Sequence, residues 1–141
     1  MNNALKYGFF LTASMVLWII FMGTMIIIDY AYMIAQITIL YFGIKAKKVK
    51  ALRNRMTLRQ GIMEGASISV IYAALSSVVL YIYYTIINPD AIRLAKRTYD
   101  LVGFSNKQIL LADTASQFLL AVSGGLIVSV IISYFLTKKV K

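Results

Sequence analysis

Apolar stretches broken by clusters of charge set the organisation of the chain. From Tyr7 to Ile44 the only side chain charged at neutral pH is Asp29, and no proline interrupts the run. One helix of about 38 residues would extend ~57 Å against a hydrocarbon core of ~30 Å, so the run must double back. A turn near Gly23 and Thr24 divides it almost evenly and seats Asp29 in the first turns of the second helix, where free amides favour a carboxylate. A turn at Asp29 itself would put the charge in water but leave a short span before Lys45. Neither the cost of a carboxylate at depth nor the mismatch of a short span decides between them; the even division is adopted. With a third run from Thr57 to about Asn88 and a fourth from Phe118 to Leu136, the expected spans are about 5–23, 25–45, 61–87 and 117–137. The expected fold class is all-α: one polytopic membrane domain of four transmembrane helices.

Within the third run, Gly61, Gly65, Ser69, Ala73 and Ser77 recur every four residues and form one ridge of minimal side chains on a helix. A second ridge, Ala121, Gly125, Ser129 and Ser133, lies in the fourth run. Helix contact in lipid depends on close packing, so the two ridges are expected to face each other. Thr57 and Gln60 have the spacing of a capping box and predict the start of the third helix. Glu64 lies about two turns in, within reach of Gln60 or of the basic stretch before it.

Between the third and fourth spans the pattern changes. Asn88-Pro89-Asp90 ends one helix and opens another, with Asn88 as its cap. Ile92, Ala95, Tyr99 and Val102 share one face of it, while Arg93, Lys96, Arg97 and Asp100 share another, as in a helix lying at the headgroup plane. Gly103 stops it, and Ser105 with Gln108 repeats the capping-box spacing ahead of a helix that runs through Asp113 and Gln117 into the last span. Segment 88–116 is thus an amphipathic helical hairpin outside the cytoplasm, where an external partner would dock.

Charge fixes the orientation. Lys45, Lys47, Lys48, Lys50, Arg53, Arg55 and Arg59 make 45–59 a basic loop that belongs in the cytoplasm, together with Lys138, Lys139 and Lys141. Counting Lys6, eleven of the fifteen cations then lie inside, against Arg93, Lys96, Arg97 and Lys107 outside. Both termini are expected in the cytoplasm. The loop can also attract anionic lipid. The net charge of +10 flanks apolar runs and comes with no groove-reading motif, so nucleic acid is not an expected partner; the lipid bilayer is. The apolar run from Tyr7 is too long for a cleaved signal and is expected to stay as a helix.

Composition then limits the chemistry. At 60% hydrophobic the 141-residue chain is too apolar for a soluble domain. It has no Cys and no His, which removes disulfides, thiolate or imidazole metal ligands and His-assisted nucleophiles. Asp29, Glu64, Asp90, Asp100 and Asp113 show no paired spacing, so no catalytic, metal or cofactor-binding residue is assigned and no enzyme is expected. Asp29 and Gln36 share one face of the second helix and suit hydrogen bonds between helices or a polar track. Trp18, Tyr30, Tyr32, Tyr41, Tyr81, Tyr83 and Tyr84 sit near the span ends, as headgroup-level rings do.

The order of Lys6-Tyr7-Gly8, Gly43-Ile44-Lys45, Thr57 to Gly65, the Tyr-rich end with Asn88-Pro89-Asp90, and Gly103-Phe104-Ser105 resembles a family of small four-span bacterial membrane proteins catalogued as a domain of unknown function. Nearly the whole chain takes part in the likeness. Members usually have a longer first hairpin and a more acidic outer segment. The resemblance implies a four-helix inner-membrane protein and transfers no active-site residues. The expected function is non-catalytic, exercised through helix association as a homo-oligomer or as an accessory subunit of a membrane-protein partner. The alternative is a permeation unit for small solutes or ions, built on Asp29, Gln36 and Glu64.

Overall fold

The computed structural model describes residues 2–21, 26–50, 55–98 and 103–138, and every regular element among them is helical. The elements are α1 (Asn3–Phe21), α2 (Ile26–Lys50), α3 (Leu58–Ile82) with a π-helical turn at Tyr83–Ile87, α4 (Asp90–Thr98) and α5 (Asn106–Thr137). Three of these stretches are long and apolar enough to cross a membrane: α1, Leu58–Ile87 and α5. The chain is a helical membrane protein. The turn expected at Gly23 and Thr24 lies outside the described residues, between the end of α1 and the start of α2.

Local chemistry sets several boundaries. Thr57 is extended at φ −78° and ψ 155°; its hydroxyl accepts the Gln60 amide at 3.2 Å, and the Gln60 side chain accepts the Thr57 amide at 3.0 Å. Ser105 and Gln108 close the same box at the start of α5. Thr57→Ala is expected to cost about 1 kcal/mol. Circular dichroism melting in detergent should register that as a small drop, with Thr57→Ser unchanged.

Two boundaries differ from the sequence reading. The region 45–59 is not all loop, because α2 continues through Lys50 and carries Lys45, Lys47, Lys48 and Lys50 on helical backbone. Ala and Lys are good helix formers, and cations suit a helix C-terminus, so the run of charge does not mark where the helix stops. Lys48 Nζ donates to the Leu136 carbonyl at 2.7 Å, so it also closes the end of α5. Arg55 and Arg59 are exposed; Arg53, Lys139 and Lys141 lie outside the described residues. At the other end, Asn88 does not turn its side chain to α4. Its amide donates to the Tyr83 hydroxyl at 3.1 Å, while its backbone N–H reaches the Tyr83 carbonyl at 2.7 Å. Pro89 bars Asn88 from helical geometry, and the last turn widens into a π turn. Tyr99, Asp100 and Val102 lie outside the described residues.

α3 is the hub. Its interface with α5 is the most extensive, followed by α1 with α3 and α1 with α2. The α3–α5 contact is antiparallel and keeps a constant register. A Cβ at Gly61 would sit 2.6 Å from Ser133 Oγ, one at Gly65 would fall inside the Ser129 side chain, and one at Gly125 inside the Ser69 side chain. Ser69, Ala73, Ser129 and Ser133 are buried, and Ala121 packs against the core. Ser77 donates to the Ala73 carbonyl at 2.8 Å and across the seam to the Thr114 carbonyl at 3.3 Å.

A third small-residue ridge, Ala4, Gly8 and Thr12, buries α1, and a Cβ at Gly8 would meet Ile71. Gly43 brings α2 equally close to Ile68, which is fully buried where α2 and α3 meet.

Candidate functional site

Burying a polar group in an apolar interior is costly unless it finds a partner. The polar side chains of this bundle are therefore the places to look for function. At the end where α1 and α3 begin, Glu64 is 8% exposed. Asn3 Nδ2 donates to Glu64 Oε1 at 2.7 Å and to the Gly43 carbonyl at 2.9 Å, while Lys47 Nζ lies 3.4 Å from Glu64 Oε2. One carboxylate thus ties α1, α2 and α3 together. Gln60, the near neighbour on its own helix, is held in the cap. Around this node Lys6 rests on the Tyr7 ring, Lys45 on Tyr41 and Lys138 on Tyr134, each within 6 Å of the ring centroid. The basic residues form a collar of cations seated on aromatic rings.

Toward the other end, Asp29 and Gln36 both turn to α1. Trp18 Nε1 donates to Asp29 at 2.7 Å in an exposed position. The Gln36 amide donates to Ser14 Oγ at 2.8 Å and to the Leu11 carbonyl at 3.2 Å. The structure does not bring Asp29, Gln36 and Glu64 together, since each is held by different partners and Glu64 lies at the opposite end.

Between them is a cluster that the sequence reading missed. Trp18 stacks on Tyr32 with ring centroids 5.1 Å apart, and the Tyr32 and Tyr72 hydroxyls are 2.7 Å apart. The Gln117 side chain of α5 lines the same recess as Tyr72. Tyr32, expected at headgroup level, instead points its hydroxyl inward, because a phenol at that depth needs a partner and Tyr72 supplies one. The available signal was Tyr72 itself, midway along Leu58–Ile87, where no headgroup is within reach.

Above this cluster, where α2 and α5 touch only sparingly, a groove of about 260 Å³ opens on the outer surface of the bundle. Its floor is polar, with Tyr72, Ser69, Gln36 and Gln117, and its rim is apolar, with Ile37 and Leu120 exposed. Among the described residues, no charged one lines it. Gly124 borders it, and a Cβ there would meet nothing within 4 Å. In chemical terms this is a neutral recess open at the bundle surface, with hydrogen-bonding groups at its base.

No curated protein and no solved structure matches the chain. Residues 6–138, almost the whole length that the bundle occupies, match the family described as protein of unknown function (DUF4199), and the chain belongs to that family.

Proposed function

We propose that the chain is a non-catalytic, four-span protein of the bacterial cytoplasmic membrane that works by association, as an accessory subunit or homo-oligomer docking through its outer helical hairpin. The observation that carries this reading is the length and order of α5. Its 32 residues extend ~48 Å, well beyond a hydrocarbon core of ~30 Å. The excess is capped at Ser105, and α4 packs on it. Tyr84 at the π turn faces Asp113 of α5 at the same end. Arg93, Arg97 and Lys107 are exposed there. A structured basic platform outside lipid suits an acidic partner surface.

α2 serves as the fourth span in this reading. Its 25 residues reach ~37 Å, and its lone carboxylate before the basic end is held by Trp18. The collar of Lys6, Lys45 and Lys138, with Lys47 and Lys48 beside it, supports placing both termini on the cytoplasmic side.

Particle mass in a mild detergent tests association. The native particle is expected to exceed one 15.8 kDa chain after detergent is subtracted. The triple variant Arg93→Glu, Lys96→Glu, Arg97→Glu should fall back to a single chain while melting like the parent. A native particle containing one chain and no other protein would overturn the proposal.

A further inference from the structure

We propose that the groove between α2 and α5 is a binding site for a neutral, membrane-dissolved molecule that offers a carbonyl oxygen on a small ring, the chemistry of a lipid-soluble quinone. Hydrogen counting at its floor comes first. The Tyr32 and Tyr72 hydroxyls carry two protons between them and share one hydrogen bond, 2.7 Å long. The second phenolic proton is not used in that bond, and it lies beside a space at the base of an apolar recess. A donor kept out of water in this way favours an acceptor brought by a ligand.

The recess also selects the kind of molecule that carries the acceptor. None of the described lining residues is charged, so none of them offsets the desolvation of an ionic headgroup. Tyr72 lies at the midpoint of Leu58–Ile87, deeper than the ester region of a phospholipid anchored at the interface. About 260 Å³ exceeds the ~150 Å³ cavity known to hold benzene, leaving room for a six-membered ring and its substituents. The opening between Ile37 and Leu120 faces lipid, so an apolar tail can stay in the bilayer while the ring enters. Gly124 keeps that entrance clear.

Trp18 is the only tryptophan in the chain and stacks on Tyr32, so its fluorescence reports on the floor of the groove. The experiment titrates the full chain in lipid nanodiscs with a decyl-substituted dimethoxybenzoquinone and follows Trp18 quenching. The expected result is saturable quenching above the linear collisional background. Gly124→Leu fills open space and should keep the melting temperature while losing the saturable part. Tyr32→Phe with Tyr72→Phe removes both phenolic donors and should weaken binding about tenfold, the size of one lost hydrogen bond; each single variant leaves one donor and should weaken it less. Decylbenzene, which has the same body without oxygens, should compete poorly.

Purely linear quenching that is identical in Gly124→Leu would overturn the proposal. Equal competition by decylbenzene would overturn it too, by showing that the oxygens are not read. Displacement by dioleoylglycerol at equal concentration would assign the groove to a glyceride instead, and a change of particle mass in Gly124→Leu would assign it to a second protein chain.

Discussion

Gly65→Ser is expected to lower the detergent melting temperature by about 10 °C, because overpacking a tight interface costs about 1–3 kcal/mol and sometimes more. The added Cβ has nowhere to go. It would fall inside the Ser129 side chain and lie 3.0 Å from Ile44 Cδ1, and both neighbours are fully buried. Relief requires α5 to move away from α3, which loosens the longest interface in the molecule. The compensating change is specific: Gly65→Ser with Ser129→Gly recreates the arrangement already present one turn on, where Ser69 meets Gly125. The double variant should recover most of the loss. If Ser129→Gly gave no rescue, the seam would not be the source of the destabilisation.

Glu64→Ala should lower stability by about 1.5–3 kcal/mol, the range for hydrogen bonds to a charged group, whereas Glu64→Gln should lose under about 1 kcal/mol. Glutamine keeps an acceptor for Asn3, and the ion pair it gives up involves a Lys47 side chain that is 48% exposed and free to hydrate. Alanine removes the anchor for Asn3, and the start of α1 should detach locally. Melting of the two variants, together with alkylation of a cysteine placed at Ala4, separates the cases. Equal damage from both substitutions would mean that charge pairing, rather than hydrogen bonding, holds the node.

What the sequence made legible was whatever depends on short spacing. The helical, apolar character of the chain follows from run length. Both capping boxes could be read because they close within four residues. The ridges of α3 and α5 could be read because nine small residues keep one interval. Spacing along a helix does not report its rotation against a distant neighbour, and that is where the reading ran out. Asn3 reaches Glu64 from 61 positions away, and Tyr32 reaches Tyr72 from 40; neither pairing leaves a local trace. The ridge of Ala4, Gly8 and Thr12 was hidden because only three small residues stand among larger ones. The π turn arises from competition between Pro89 and the packing of the α3 end, which no single residue type announces.

The order of glycine and serine reverses halfway along the seam, glycine on α3 at Gly61 and Gly65, then glycine on α5 at Gly125. Sliding one helix by a single turn is thereby self-defeating. One direction sets Ser69 against Ser129, two hydroxymethyl groups where there is room for one; the other sets Gly65 against Gly125 and opens a void. The pair is keyed to one height, so the position of α4 and of the capped start of α5 relative to α3 is dictated by the seam rather than by the length of any connecting loop.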